Sequence, residues 1–386
     1  MKVICDRAAL QEATNLTAGV VNPRSPRPQL ACIRLTAKRE GAGGTLALAA
    51  TDAEISLRLT TDEVEVQEEG EALIPADKLR QIVAAQDSDP TLTLETDGEK
   101  TTIKGTGSRF LIYGFPPGDF PPIPDFPKPE AAADAFSASS EGFLQLIQRT
   151  IFSTARENSR YAINGVLLKR HNKKIEMVAT DGRRLALARG TVDPGASKSE
   201  GGQCIVPTKA LNLAQRLLPT AADKIRIAIT DNQIMFAFDD PDSPGGTVLT
   251  SNLVEGTFPP YEDVVPRDQD KKATLNVETL SSAVKRAALL TNEESRGVRL
   301  AFTGAQDKML RLSSRAPEMG EAEIEVALDG YEGEGIEIGF NPAFITDALK
   351  VVTGNDVVME LKAGNKPGLI KSGNDFLYVV MPVSLQ

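Results

Sequence analysis

The sequence predicts an α+β fold built from three similar domains, each with two helices packed on antiparallel strands. A motif in which an apolar strand runs into Pro or Asn-Pro and then into an amphipathic helix occurs at residues 73–83, 204–218 and 338–352. An apolar residue that opens another helix recurs with a similar step, at Leu10, Phe143 and Leu280. The steps lie between 132 and 137 residues, close to one third of the 386-residue chain. Independent markers that share one step indicate a triplicated domain.

A third marker occurs twice, as GDFPPIP at residues 118–124 and as GTFPPYE at residues 256–262, 138 residues apart. This step is too long for one unit of a solenoid, so each copy should have a core of its own. Linkers that are proline-rich or charged and lack periodicity lie at residues 127–134 and 266–272. We therefore expect three domains, at residues 1–128, 129–266 and 267–386.

Six segments carry the apolar stripe of a helix that buries one face; they are residues 7–20, 77–85, 140–156, 208–218, 278–290 and 342–352. Between them, alternation of apolar and polar residues predicts strands. In the first third the alternation covers residues 45–60, 91–96, 101–105 and 109–115. In the second third it covers residues 164–170, 174–181, 183–189 and 225–230. In the last third it covers residues 296–304, 309–315, 322–328, 357–362 and 376–382.

The composition limits the classes to which the protein can belong. An apolar fraction of 41% and a charged fraction of 25% are typical of a globular chain and exclude a disordered one. No run approaches the roughly 18 apolar residues of a membrane span, and Asp6 and Arg7 interrupt any signal-peptide core. The cysteines, Cys5, Cys32 and Cys204, match no zinc spacing. We expect a cytoplasmic protein that needs no metal, cofactor or membrane.

The residues that could support catalysis form no catalytic pattern. The single histidine, His171, could act as a general base, but its polar setting between two apolar runs favours a solvated hairpin tip. The GAGG sequence at residues 41–44 lacks the Lys-Ser/Thr of a phosphate loop and reads as a turn. Asp239 and Asp240 lie in a loop rich in Pro, Gly and Ser. We therefore expect no catalytic residues.

Charge is segregated along the chain. The six helical segments carry ten basic residues against five acidic ones, whereas the whole chain has a net charge of −10. One explanation is that Lys and Arg favour helices and line solvated faces. The other is that equivalent helices share a surface that faces a polyanion. Dispersed cations without interleaved aromatic residues suit sequence-independent contact with a nucleic-acid backbone, and lasting association would then need encirclement.

Seven segments resemble the beta-subunit sliding clamp of bacterial DNA polymerase III, in the order that this family has. They are RYAINGVLL (160–168), VATDGRRLALA (178–188), IVPTKAL (205–211), TSNLVEGTFPPYEDVVP (250–266), RAALLTNEESRGVRL (286–300), IEIGFN (336–341) and YVVMPVSLQ (378–386). The resemblance implies clamp-type domains with helices inside and sheets outside, and a head-to-tail homodimer that forms a ring around duplex DNA. It implies a processivity factor without enzymatic activity that tethers the replicative polymerase.

The same resemblance implies the partners. They are double-stranded DNA without sequence preference, a second copy of the chain, the replicative polymerase subunit, the clamp loader, and repair and translesion polymerases. The implied location is the bacterial cytoplasm, and no cofactor is implied.

The first implied site contacts DNA. The family has an Arg-Pro in a loop of its inner surface, which matches Arg27-Pro28, and the long loop here offers Arg24 as a second candidate. With the basic residues of the helical segments, the predicted DNA contacts are Arg24, Arg27, Lys78, Arg80, Arg149, Arg156, Lys209, Arg216, Lys285 and Arg286.

The second implied site is a pocket for short, mostly apolar peptides of partner proteins. It comprises Ile163, Thr180, Gly182, Arg183, Arg184, Leu185, Pro259, Val264, Asn341, Phe344, Val379, Met381, Pro382, Val383 and Leu385. Asp181-Gly182 predicts a type I′ hairpin turn that sets Thr180 beside Leu185, and Met381 offers an adaptable contact. Asp263 replaces an Arg that is common in the family, Ser384 precedes Leu385 and Gln386 is an extra residue, so we expect altered partner preferences.

The third implied site is the subunit interface, between the first domain of one chain and the third of its partner. It comprises Lys78, Ile82, Lys104 and Arg109 on one side and Glu318, Glu321 and Glu323 on the other. Opposite charges at the two ends of one chain predict a heterologous contact. Because surface ion pairs contribute only about 0–1 kcal/mol each, we expect edge strands and apolar residues to supply most of the affinity, with the charges setting orientation.

Three other interpretations compete with this one. The two-domain trimeric clamp of archaea and eukaryotes has shorter chains, and the three repeats argue against it. A β-rich cytoplasmic hydrolase would need a catalytic constellation, and the sequence shows none. A structural or envelope repeat protein is disfavoured because no signal sequence is visible.

Overall fold

A computed structural model describes residues 1–39, 44–128, 132, 134–155, 162–195, 199–238, 246–291, 297–317 and 319–384. The chain divides into two compact units. Unit 1 contains Met1–Glu141, Val192–Ser199 and Lys209–Leu253, and unit 2 contains Gly142–Thr191, Glu200–Thr208 and Val254–Gln386. The middle third of the sequence therefore contributes to both units. Our three domain boundaries are not tested by this division and stay a prediction.

Six helices lie in the described residues: α1 (Arg7–Ala18), α2 (Ala76–Ala85), α3 (Ser140–Thr150), α4 (Thr208–Leu217), α5 (Val277–Ala287) and α6 (Pro342–Leu349). Each follows a strand directly or after one residue, as the repeated motif predicts. Polar residues at these junctions begin several of the helices, since a side-chain oxygen satisfies a free N–H of the first turn. Asp6 Oδ1 accepts from Ala9 N at 2.9 Å, and Asn341 Oδ1 accepts from Ala343 N at 2.9 Å.

The strands of the first third are β1 (Lys2–Asp6), β2 (Cys32–Lys38), β3 (Thr45–Thr51), β4 (Ile55–Thr61), β5 (Val64–Glu68), β6 (Gly70–Pro75), β7 (Thr91–Asp97), β8 (Lys100–Gly105) and β9 (Ser108–Tyr113). Those of the middle third are β10 (Asp134–Ser139), β11 (Gly165–His171), β12 (Lys174–Thr180), β13 (Arg184–Thr191), β14 (Gln203–Pro207), β15 (Lys224–Ile229), β16 (Gln233–Ala237) and β17 (Val248–Asn252). Those of the last third are β18 (Lys271–Asn276), β19 (Val298–Phe302), β20 (Met309–Ala316), β21 (Gly320–Ala327), β22 (Gly330–Glu332), β23 (Ile336–Phe340), β24 (Asp356–Leu361), β25 (Gly368–Ser372) and β26 (Phe376–Val380).

Each unit contains two antiparallel sheets. In unit 1 the strand orders are β5-β1-β7-β8-β9 and β10-β15-β16-β17-β4-β3-β2-β6. In unit 2 they are β14-β11-β12-β13-β26-β25-β24-β18-β22 and β21-β20-β19-β23. Two different four-stranded arrangements can be recognised in these strand orders, and each of them occurs three times. One is β1-β7-β8-β9, β10-β15-β16-β17 and β18-β24-β25-β26; the other is β6-β2-β3-β4, β14-β11-β12-β13 and β23-β19-β20-β21. The topology thus confirms the triplication and the α+β class.

Two of these arrangements join within each large sheet, and we call each junction a seam. In unit 1, β4 pairs with β17, with Leu57 opposite Leu249. In unit 2, β13 pairs with β26, with Leu185 opposite Val379. The corresponding strands of the third set, β9 and β21, are both terminal strands of their sheets in the described part of the chain. The repeat therefore leaves one pair of equivalent edges open.

The sequence pattern was misread at residues 45–60, which we predicted as continuous alternation. The structure divides this stretch into β3 and β4 around a three-residue turn, Asp52 to Glu54. The side chain of Asp52 stabilises the turn, because its Oδ1 accepts from the backbone N of Glu54 at 2.9 Å and of Ile55 at 2.8 Å. His171 does lie at the exposed end of β11 in a hairpin, as predicted.

Buried apolar side chains lie between helices and sheets in each unit. The cores include Leu10, Leu35, Leu48 and Leu79 in unit 1 and Leu280, Phe340, Ile345 and Tyr378 in unit 2. The three cysteines are buried and form no disulfide, and burial raises the pKa of the thiols of Cys5 and Cys32 to about 12. Within the described residues, no helix is long and apolar enough to cross a membrane.

Candidate functional site

The hairpin between β12 and β13 forms the first part of the predicted peptide pocket. Thr180 Oγ1 donates to Arg184 O at 2.7 Å and accepts from Gly182 N at 3.1 Å. Asp181 Oδ1 accepts from the backbone N of Arg183 at 3.0 Å and of Arg184 at 3.1 Å. The predicted type I′ turn is wrong, because that turn needs positive φ at two residues and only Gly182, at 84°, has it. Gly182 and Arg183 lie between Asp181 and Arg184, whose backbone N and O are hydrogen-bonded, and Thr180 does lie opposite Leu185.

Arg184 connects this hairpin to α6. Its Nε donates to Asp181 Oδ2 at 3.1 Å, its Nη1 to Asp347 Oδ2 at 2.9 Å and its Nη2 to Phe152 O at 2.8 Å. The guanidinium also lies 4.5 Å from the ring centroid of Phe344. All three guanidinium nitrogens donate to groups of the chain itself, so Arg184 holds the hairpin to α6 and to Phe152. Burial disfavours the charged Asp347, but hydrogen bonds from Arg184 and Lys350 outweigh this and lower its pKa.

The other predicted pocket residues lie at different depths. Leu185 and Val379 are fully buried and share one apolar cluster, so in the predicted pocket they would form the floor and not the rim. Val264 and Met381 are exposed. The tail after β26 is held by Met381 N, which donates to Arg183 O at 2.9 Å, and by Val383 N, which donates to Gly339 O at 2.9 Å. Asn341 caps α6, as described above.

The remaining predicted pocket residues differ in burial, and one of them is not described. Ile163 is buried just before β11, and Pro259 and Pro382 are partly exposed. Leu385 lies outside the described residues.

The sequence analysis missed the residues that hold the loop carrying Pro259 and Val264. Tyr261 is buried in this loop, and its hydroxyl donates to Glu176 of β12. Lys169 Nζ lies 5.9 Å from the centroid of the Tyr261 ring and 3.4 Å from Glu262 Oε1. Burial, followed by the contact with Glu176, raises the pKa of Tyr261 above its ordinary range. The recurrence of FPPIP and FPPYE was the available signal, because it marks a loop that packs at an equivalent place in two domains.

Nine of the ten predicted DNA-contact residues are described; Arg156 is not. Eight of these nine are exposed and Arg149 is partly buried. The six helices carry eight basic residues against five acidic ones, so the helices are net positive in a chain of net charge −10. Arg24 and Arg27 lie in the exposed loop that follows α1.

Four of these cations also make contacts inside the protein, and Lys78 Nζ lies 3.6 Å from Asp77 Oδ2. Lys209 Nζ lies 2.5 Å from Asp52 Oδ2 and donates to Val20 O at 2.9 Å. Arg149 Nη2 donates to Thr353 Oγ1 at 3.0 Å, and Arg216 Nη2 donates to Asn15 O at 3.3 Å. Lys209 is therefore largely neutralised by its own chain, whereas Arg80, Lys285 and Arg286 are exposed.

The predicted interface residues lie on or near the two open edges. Lys104 and Arg109 are opposite each other on β8 and β9, and Glu321 and Glu323 lie on β21. Glu318 is not among the described residues. Several of these charges have partners in their own chain: Lys104 Nζ lies 2.7 Å from Glu95, Arg311 Nε 2.8 Å from Glu323 and Arg315 Nε 3.1 Å from Glu321. Lys78 is exposed and Ile82 is partly buried on α2.

Exposed apolar side chains mark the same edges, and the sequence analysis missed them. The large apolar residues that are exposed in the described part of the chain are Leu111, Tyr113, Val264, Leu289, Met319 and Met381. Leu111 and Tyr113 lie on β9, and Met319 lies just before β21. Val264 and Met381 are residues of the predicted pocket. Period-2 alternation along β9 was the available signal, since it places Leu111 and Tyr113 on the face of Arg109.

Among the described residues, no three His, Cys, Asp or Glu side chains converge in a way that could hold a metal ion.

Comparison with known proteins agrees with this arrangement over the full length of the chain. Three family models match, described as the N-terminal, central and C-terminal domains of the DNA polymerase III beta subunit, at residues 1–124, 138–260 and 262–384. The beta sliding clamp of Pseudomonas putida is 34% identical over 387 residues, with 100% of both chains covered. The beta sliding clamp of Escherichia coli K12 is 30% identical with the same coverage.

Solved structures give the same result. The sliding clamp of Pseudomonas aeruginosa bound to griselimycin matches with a TM-score of 0.87 and 33% identity, and the clamp of Bartonella birtlesii bound to griselimycin matches with 0.86 and 30%; each match covers 100% of both chains. Threefold topology, net positive helices and full-length similarity thus lead to one conclusion: the chain belongs to the DNA polymerase III beta subunit family, the beta sliding clamps of bacteria.

Proposed function

We propose that two copies of this chain associate head to tail around duplex DNA in the bacterial cytoplasm, through the residues described above. As a member of its family the chain is a sliding clamp, a non-catalytic accessory subunit that tethers the polymerase to DNA. The proposed domains are residues 1–128, 129–266 and 267–386.

The observation that carries the proposal is the open third seam. In one chain, β4 pairs with β17 and β13 pairs with β26, whereas the equivalent strands β21 and β9 have no neighbour on their outer edges among the residues that the structure describes. Unpaired edges with exposed apolar residues favour pairing with another chain. β9 belongs to the first copy of the repeat and β21 belongs to the third. Pairing of β9 of one chain with β21 of another is therefore heterologous, and two such contacts can close a ring.

Charge supports the same orientation. Arg109 on β9 would meet the glutamates of β21, although Arg311 and Arg315 already neutralise part of that acidic edge. The ion pairs therefore contribute mainly to orientation. The apolar residues Leu111, Tyr113 and Leu289 supply the larger part of the affinity, because burial stabilises by about 25 cal/mol per Å² of apolar surface.

The net positive helices suit sliding on DNA. Exposed lysines and arginines such as Arg80, Lys285 and Arg286 attract phosphates of any sequence and make no base-specific pattern. The proposed DNA contacts are Arg24, Arg27, Lys78, Arg80, Arg149, Arg156, Lys209, Arg216, Lys285 and Arg286. Lys209 should contribute least, since Asp52 already accepts from it.

The pocket beside the unit 2 seam suits short apolar peptides of the replicative polymerase subunit, the clamp loader, and repair and translesion polymerases. It combines the exposed Val264 and Met381 with the buried Leu185 and Val379. Two similar clamps hold griselimycin in their structures, and we propose that this chain binds it in the same pocket.

A topological experiment tests the clamp function. The protein is loaded by a clamp loader onto circular nicked DNA, the salt is raised, and the DNA is then linearised. Encirclement predicts retention on circles at high salt and loss from linear ends. Equal loss from both forms would contradict the proposal.

Two matched substitutions separate the interface from the pocket. Leu111 is 45% exposed and Val264 is 46% exposed, so Leu111→Asp and Val264→Asp place the same charge at equally exposed positions. Leu111→Asp should give a monomer by light scattering and keep griselimycin binding. Val264→Asp should remain a dimer and lose griselimycin, as should deletion of residues 383–386. The opposite pattern would refute both assignments.

A further inference from the structure

The eight-stranded sheet of unit 1 has a cavity of about 470 Å³ beneath the loop of residues 120–126, and none of the sites above uses it. Ala47 and Ala49 of β3 line it centrally, between Arg34 of β2 and Arg58 of β4. Phe120 also lines it and packs on a small buried apolar cluster. We call this cavity the arginine groove. Its volume lies within the usual range of ligand sites, about 300–1,000 Å³.

The register of the sheet explains the groove. Arg34 lies opposite Ala49, and Ala49 lies opposite Arg58, so the three side chains form one row on the same face. Neighbouring strands are about 4.8 Å apart, which separates the two arginine Cα atoms by about 10 Å. Because Ala49 has only a methyl group, the space between the two guanidinium groups is not filled by side chain.

Both arginines already bind carboxylates of their own chain. Arg34 Nη2 lies 2.6 Å from Glu71 Oε1, and Arg58 Nη1 lies 2.6 Å from Asp125 Oδ1. The Nε of each guanidinium is buried and has no hydrogen-bond partner, so neither group makes the two-pronged contact of which arginine is capable. Asp125 is 83% exposed, and an ion pair this exposed contributes little, about 0–1 kcal/mol. An incoming carboxylate can therefore replace Asp125 at small cost.

The groove is elongated along β3. Thr45, Ala47 and Ala49 line it at every second residue, a length of about 14 Å, which matches four residues of extended peptide. Lys38 lies opposite Thr45 at the other end. The groove thus offers two arginines at one end and a lysine at the other, at the spacing of residues i and i+4 of a strand, about 14 Å.

We propose that the arginine groove binds an extended acidic peptide segment of a partner protein, with one Glu or Asp carboxylate between Arg34 and Arg58 and a second near Lys38. An apolar side chain that displaced Asp125 could not accept a hydrogen bond from Arg58 in its place, so the groove favours acidic segments over the apolar ligands of the unit 2 pocket. The net charge of −10 does not forbid this, since charges more than about 8 Å away are screened at physiological salt.

Binding of fluorescein-labelled hexaglutamate to the full-length protein, followed by anisotropy at 50 mM salt, tests this proposal. Hexaglutamate should bind, more weakly at 300 mM salt, whereas labelled hexaglutamine should not. The Arg34→Gln, Arg58→Gln double variant should lose at least tenfold in affinity. Asp125→Asn should bind several-fold more tightly, because it removes the competing carboxylate.

Two further variants serve as controls for misfolding of the double variant. Ala47→Glu places a carboxylate in the groove, where unit 2 has Glu176, and should also lose at least tenfold in affinity. Arg299→Gln breaks another exposed Arg–Glu pair, with Glu337, and should not change affinity. Failure of hexaglutamate to bind, equal binding by the double variant and the wild type, or weaker binding by Asp125→Asn would overturn the proposal. Griselimycin binding and retention on circular DNA are measured separately and do not depend on this outcome.

Discussion

The two seams have the same hairpin beside them, and side chains alone distinguish their surroundings. In unit 1, Thr51 Oγ1 donates to Ile55 O at 2.9 Å and accepts from Ala53 N at 3.1 Å. Thr180 makes the same pair of hydrogen bonds around Gly182 in unit 2. Asp52 and Asp181 each accept from two backbone N–H groups of their turn. The backbone plan of the repeat is therefore retained in both units.

The rows of side chains behind the hairpins differ in polarity. Where unit 1 has Arg34, Ala49 and Arg58 across three strands, unit 2 has the buried row Leu167, Val178 and Leu187. The covering loops differ in a matching way: Tyr261 reaches Glu176 in unit 2, while the equivalent Ile123 and Ala47 of unit 1 line a cavity. The comparison teaches that one scaffold supports an apolar pocket or a cationic groove through a few substitutions.

The largest expected effect comes from Arg184, which has Ile55 at the equivalent place in unit 1. Arg184→Ala removes an ion pair that is mostly buried and leaves Asp347 without its partner, so unfolding free energy should fall by about 3 kcal/mol. Urea unfolding measures this. Arg183→Ala, at the exposed neighbour, should change stability by less than about 0.5 kcal/mol. A loss below about 1 kcal/mol for Arg184→Ala would show that the ion pair does not hold the pocket.

Tyr261→Phe tests the anchor of the pocket loop. Removing a hydrogen bond to a charged group should lower the free energy of unfolding by about 1.5 kcal/mol. The substitution should also weaken the binding of griselimycin, because the loop carries Pro259 and Val264. Tyr331 provides the control, since its hydroxyl donates to Glu334 O at 2.6 Å elsewhere in unit 2. Tyr331→Phe should cost about 1 kcal/mol and leave griselimycin affinity unchanged; equal loss of affinity in both variants would contradict the anchoring role.

A reciprocal exchange tests the two turns. Ala53 has φ 78° and Gly182 has φ 84°, a region that costs a residue with a Cβ about 1 kcal/mol or more. Gly182→Ala should therefore destabilise by about 1 kcal/mol, since no atom lies within 4 Å of the added Cβ and only backbone strain remains. Ala53→Gly should stabilise by about 0.5 kcal/mol, because the flexibility of glycine in the unfolded chain offsets part of the gain. Thermal unfolding measures both, and changes of the same sign would show that the turns are not equivalent.

The smallest expected effect is a change in how stability depends on pH in the acid range. The pKa of Asp347 is lowered in the folded protein, so its contribution to stability is complete above its ordinary pKa, about 3.9, and is lost as pH falls through the lowered value. Asp347→Asn should therefore flatten the fall in stability between pH 5 and pH 2.5. Urea unfolding at several pH values measures this slope. An unchanged slope would mean that Arg184 does not stabilise the charged carboxylate.

The triplication and the helices were readable from the sequence because each copy keeps a strand, a capping residue and an apolar stripe, all of which are local. Most of the strands predicted from alternation were found for the same reason. The turn at Ala53 was not predicted, since alanine gives no signal for positive φ and Asp52 stabilises it through hydrogen bonds that only the folded chain forms.

The same distinction applies to the site residues: some could be named from the sequence, whereas others depend on contacts that only the folded chain forms. Gly182 and Met381 belong to segments that resemble the family, so the resemblance was enough to name them, and the basic helix residues were named from the helical segments that carry them. The anchoring of Tyr261 by Glu176 joins residues 85 positions apart, and the arginine groove exists because Ala49 stands between Arg34 and Arg58 in the sheet register.

The sequence by itself determined the three copies, their helices and the segregation of positive charge, because these depend on residue type and spacing along the chain. Tertiary structure alone decided which strands join at the seams, which edges stay open and which charges are neutralised by their own chain. The physical reason is that antiparallel pairing aligns residues from distant segments, and the side chains opposite one another then decide whether a surface is apolar, cationic or closed.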